Sequence, residues 1–80
     1  MPRFFFHNRT DAVLIEDLEG TELPILDAAR VEAIVDLRHF AADALRQGLP
    51  IGYRQIDIYD TARQLLATVS VQDAIRLLLP

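Results

Sequence analysis

Eighty residues, 51% hydrophobic and 25% charged, make a single domain over 1–80 with globular rather than disordered composition. Twelve acids against eight bases leave a net charge of −4, which argues against binding a phosphate backbone, so no nucleic-acid partner is expected. The absence of cysteine excludes disulfides, thiolate catalysis and cysteine-type zinc sites.

The chain opens with "RFFFHNR" (3–9), aromatic-rich and suited to a strand. Alternation puts Phe4, Phe6 and Asn8 on one face and Arg3, Phe5, His7 and Arg9 on the other. The apolar run Phe4–Phe6 is too short for the core of a signal peptide, and no stretch approaches the length of a membrane span. A cytoplasmic protein with no membrane association is therefore expected. "RTDA" (9–12) reads as a turn and "VLIED" (13–17) as a returning strand, making a hairpin. "EDLEGTELP" (16–24), with four acids, a glycine and a proline, reads as a loop in which Gly20 can take positive φ.

From about Pro24 to Gln47 the period becomes helical. Leu26, Ala33, Ile34, Leu37, Ala41, Ala44 and Leu45 share one side at about 100° per residue. Asp27 suits the first turn, Arg46 the last, and Gly48 ends the helix with Pro50 just beyond. "GYRQIDIYD" (52–60) returns to period two, with Arg54, Ile56 and Ile58 opposite Tyr53, Gln55, Asp57 and Tyr59. "DTAR" (60–63) is a turn and "QLLATVS" (64–70) a fourth strand. Ser70 with Asp73 makes a capping box that opens a short helix, "VQDAIRLLL". The order is ββαββα: an α+β domain whose four-stranded antiparallel sheet carries the long helix on one face, with Phe4 and Phe6 packed on Ile34, Leu37 and Ala41.

"MPRFFFH" at the start, "EDLEGTELP" before the long helix and "AARVEA" within it resemble a family of small bacterial proteins, largely alphaproteobacterial. Its members open with Pro-Arg-aromatic-Phe-Phe-His and pass through an acidic Gly-x-Glu-Leu-Pro segment into an Ala-Ala-Arg-x-Glu-Ala helix. The resemblance is most specific over residues 2–34. Where the commoner pattern turns through Asp-Gly, this chain has "RTDA". The family is a domain of unknown function, so the resemblance implies a fold and a cellular setting and carries over no catalytic residue.

Four constellations have the residue types of a site. His7 beside Phe5, with Tyr53 and Tyr59 on the same sheet face, has the look of a stacking platform, but the acidic chain lacks a basic groove. That face is read as covered by the C-terminal helix or by a partner chain. Glu32, Asp36, His39 and Asp43, spaced four, three and four apart, share one helix face and have metal-ligating side chains; the face is read as solvated. Glu16, Asp17, Glu19 and Glu22 lack EF-hand spacing and form a solubilising loop whose charges meet nearby arginines. Arg30 falls near the centre of the apolar stripe and is read as a snorkelling side chain paired with Glu16, Asp17 or Glu22.

No glycine-rich phosphate loop and no nucleophile with a neighbouring base is present. No catalysis and no catalytic, cofactor-binding or metal-binding residue is expected. The chain reads as a small interaction module that self-associates, with a small-ligand or metal binder as the alternative. A homodimer is expected because a short chain gains little net stability from its own core, and because Leu77, Leu78 and Leu79 exceed what one short helix can hide.

Overall fold

Consecutive aromatics favour the pleated, half-buried surface of a strand, and Arg3–Arg9 form one, β1. In the computed structural model, which describes residues 1–76, β2 (Leu14–Ile15), β3 (Thr21–Glu22), α1 (Leu26–Gln47), β4 (Gln55–Tyr59), β5 (Leu65–Ser70) and α2 (Val71–Arg76) follow. All pairings are antiparallel, in the order β2-β1-β4-β5, with β3 joining β1 at its other end. The α+β architecture expected from the sequence is present. The strand predicted over 13–17 is present but shortened to Leu14–Ile15, and the segment read as a loop over 16–24 lifts off β1 and returns to it as a second two-residue strand, Thr21–Glu22.

The helices cover one face only. Phe4, Ile56, Ile58, Ala67 and Val69 from the sheet meet Ala29, Ala33, Leu37 and Ala41 from α1 and Val71 and Ala74 from α2. Phe4 is 5% exposed and Phe6 packs at the margin, so the face assigned to Phe4 and Phe6 lies under α1, in one cluster with Leu37, Ala41 and a partly buried Ile34. The buried stripe of α1 is almost all alanine, small side chains that let the helix backbone lie close to the sheet. It runs through Ala29, while Leu45, expected inside, is 68% exposed on the flank.

The helix ends bear out the sequence signals unevenly. Gly48 takes φ 70°, and its N–H and that of Leu49 bond Leu45 and Ala44 carbonyls, a Schellman closure that favours glycine. At the other end Pro24 stands before the helix; the N-cap is Ile25, with no capping side chain. Ser70 and Asp73 form the expected capping box, each side chain accepting the other's N–H, at 3.1 and 3.3 Å. The α2 helix packs on α1 and β5, and the Arg38 Nε donates to the Ala74 carbonyl. Thus α2 joins the helical layer and does not cross the other sheet face. Leu77, Leu78 and Leu79 lie outside the described residues.

Candidate functional site

The face away from the helices is organised around a buried carboxylate. Asp57, in the middle of β4, is only 3% exposed although no helix covers it. Neighbours on β1, on β5 and on β4 itself supply the cover. Oδ2 accepts from Arg9 at 3.1 Å through both Nε and a terminal nitrogen, and Oδ1 accepts from Gln55 at 2.7 Å and Thr68 at 3.2 Å. A buried carboxylate without such donors would be strongly destabilising. Neither Arg9 nor Asp57 stands out in the sequence; only aligning their positions on the two strand faces would pair them.

Beside this polar centre lies a cavity of about 490 Å³ with Phe5, His7 and Tyr59 in its lining. The His7 and Tyr59 rings stand 4.8 Å apart, tilted by 33°. Glu16, Asp17 and Leu18 wall one side, and Asp60, Thr61 and Arg63 the other. Phe5, His7 and Tyr59 therefore do come together as the sequence suggested. Tyr53 does not, since it precedes β4 and is largely exposed.

One wall of this cavity is fixed by Asp17. Between the short β2 and β3 ladders, its Oδ2 accepts the Phe6 N–H at 3.1 Å, in place of a neighbouring strand. Oδ1 accepts from the Glu19 and Gly20 amides, and the Asp17 N–H donates to His7 Nδ1 at 3.1 Å. The neutral imidazole then carries its proton on Nε2. Partial burial works to raise the Asp17 carboxyl, but the Gly20, Phe6 and Glu19 amides and the nearby His7 outweigh it and hold it below its ordinary value. Gly20 takes φ 72°, as the sequence allowed, and a Cβ there would sit 2.9 Å from Arg3 Cγ, the Phe4 carbonyl oxygen and Phe5 Cε2. Arg3 closes the loop from outside, bonding the Glu19 carbonyl at 2.8 Å and Glu22 at 3.2 Å, so acids of this loop do meet an arginine.

The opposite wall is the β4–β5 turn. Asp60 Oδ1 accepts the Ala62 and Gln64 amides, and the Arg63 N–H closes on the Asp60 carbonyl. Arg63 then takes φ 63°, the left-handed position such a turn usually gives to glycine.

Two expectations change. Arg30 is exposed and forms no pair with Glu16, Asp17 or Glu22. It lines a groove with β5 and α2, while those acids lie beyond the far edge of the sheet. Over the described residues the C-terminal helix does not cover the open sheet face, which is held by its own polar lattice. Glu32, Asp36, His39 and Asp43 are all exposed, with Asp43 paired to Arg46. Among the described residues no three acidic or histidine side chains are grouped to hold a metal, and no helix is long and apolar enough to cross a membrane.

No curated protein and no solved structure matches the chain. A family model matches residues 3–72, taking in every strand, the long helix and both walls of the cavity. The chain belongs to the family described as Domain of unknown function (DUF6894).

Proposed function

We propose that the domain is a non-catalytic interaction module that acts by self-association in the cytoplasm, a setting its cysteine-free composition suits. The observation that carries this reading is the apolar surface on one flank. Arg38, bonded to the Ala74 carbonyl, marks the side of α1 turned toward α2. At about 100° per residue, Ile34, Val31 and Leu45 lie within roughly 40° of it. Val31 is 59% and Leu45 68% exposed. Apolar side chains gathered on one side of so small a domain suit a protein interface. The absence of catalysis is supported by the commitment of the polar groups: Asp57, Asp17 and His7 Nδ1 are all taken up by internal hydrogen bonds. Size exclusion with light scattering, over a hundredfold range of concentration, tests the reading. Twice the chain mass at micromolar concentration is expected; the single-chain mass throughout would overturn it.

A second reading, a small-ligand binder, is favoured by the aromatic cavity, whose volume lies in the range of about 300–1,000 Å³ common to ligand clefts. An amide NMR screen of a fragment library would support it by shifts confined to Phe5, His7, Tyr59 and the Glu16–Gly20 loop. Shifts scattered over the surface would remove it.

A further inference from the structure

We propose that β5 pairs antiparallel with β5 of a second copy across a two-fold axis, joining two sheets into one. This rests on the self-association proposed above and assigns it a surface. The two edges of the sheet are treated unequally. Along β1 the outer edge is occupied throughout: β3 pairs with Arg3 and Phe4, β2 with Asn8 and Arg9, and Asp17 takes the Phe6 N–H between them. Among the described residues the β5 edge has none of the usual guards. Its sequence, LLATVS, contains no charge and no proline, and the register irregularity falls beside Tyr59, leaving Ala67–Ser70 in regular pairing. An uncharged, regular edge is where sheets add a strand.

The hydrogen-bond phase identifies the free backbone groups. The Val71 N–H donates to the Arg54 carbonyl at 2.8 Å, so by alternation Val69 and Ala67 turn their main chain toward β4 and Thr68 and Ser70 turn theirs outward. The outward N–H of Ser70 is already taken by Asp73, which limits the edge at that end. The free run therefore centres on Ala67 and Thr68. A two-fold axis there brings a strand against its own copy with no like charges opposed, which a closed, isologous dimer requires.

The surroundings fit the same axis. The groove lined by Arg30, Ile34, Thr68, Val69, Asp73 and Arg76 runs beside this edge on the helical side. Pairing sets one groove beside the other, so the apolar Ile34 and Val69 are further shielded. The exposed flank of α1 lies on this side too.

The test uses the full chain and exploits its lack of cysteine. In Thr68→Cys, the two thiols of a β5-paired dimer lie roughly 5–9 Å apart, according to whether Thr68 or Ala67 faces its own copy, within reach of a short bis-maleimide; Asp36→Cys, on the acidic helix face, is the control. Efficient cross-linking of the first alone is expected. Thr68→Lys places a charge on the edge and also removes the hydroxyl that donates to Asp57 Oδ1 at 3.2 Å, so it should weaken the dimer at least tenfold by light scattering and lower the monomer's melting temperature while its circular dichroism remains that of a folded chain. If Thr68→Lys fails to fold, the cross-linking pair decides. A wild type that stays monomeric overturns both this assignment and the self-association beneath it. A wild-type dimer that Thr68→Lys leaves intact, or that cross-links as well through Asp36→Cys, overturns the edge alone.

Discussion

At the scale of single residues, three substitutions test how the loops framing the open face are held. Gly20→Ala places a Cβ within 2.9 Å of two side-chain carbons and a backbone oxygen at positive φ, so it should cost about 1–3 kcal/mol in urea melts. Arg63→Gly relieves the left-handed strain at φ 63° and should stabilise by about 0.5–1 kcal/mol; a loss would show that the guanidinium makes a contact worth more than the strain. Asp17→Asn removes charge from a carboxylate that accepts three amide hydrogen bonds, at a cost near 1 kcal/mol at neutral pH because the loop is partly solvated. The folded carboxyl of Asp17 lies below its ordinary value, so its contribution is complete above the unfolded pKa and is lost as pH falls below about 4. Urea melts from pH 7 to pH 2 should therefore show a shallower acid decline in Asp17→Asn than in wild type. Gly20 and the Ser70–Asp73 cap could be read from the sequence because their signals are local. Arg30 could not, since helical phase says nothing of which sheet edge a side chain overhangs, and the acids proposed as its partners lie at the other edge.

Among the elements, those with a sustained period were legible and those built by a tertiary contact were not. The long helix, both later strands and the Phe4 face follow from periods of 3.6 and two. The β2 and β3 strands have two residues each and exist because β1 offers an edge; Asp17, not a further strand residue, fills the gap between them. The cavity was legible only in its aromatic floor. Its walls depend on that loop and on a turn geometry that arginine rarely adopts. The packing also ranks the phenylalanines. Phe4 is almost wholly buried and Phe6 only partly, so Phe4→Ala should cost about 3–5 kcal/mol and Phe6→Ala roughly 2 kcal/mol. Equal or reversed losses in thermal melts would show that the core centres nearer β2. On the open face, Asp57→Ala strands Arg9, Gln55 and Thr68 without their acceptor and should cost about 2–4 kcal/mol, more than Arg9→Met, which keeps the covering stem.

For the whole molecule, helices cover one side of the sheet and a lattice of hydrogen bonds around Asp57 holds the other. That lattice satisfies the buried carboxylate without help from outside, so stacking two open faces would gain little and would desolvate Arg9 and Glu16. Among the described residues, what is left unsatisfied is the main chain of β5 and the apolar flank beside it. If association through these groups contributes to stability, folding and dimerisation are linked, and the melting temperature depends on protein concentration. For two 80-residue chains unfolding as a dimer, a tenfold dilution should lower it by about 4 °C, from the usual unfolding entropy per residue. Thr68→Lys should melt at a temperature independent of concentration, below the value wild type approaches at high dilution because its bond to Asp57 is also lost. Differential scanning calorimetry from 5 to 500 µM measures both slopes. A flat wild-type slope would mean that a single chain supplies all the stability, and a slope retained in Thr68→Lys would move the interface away from β5.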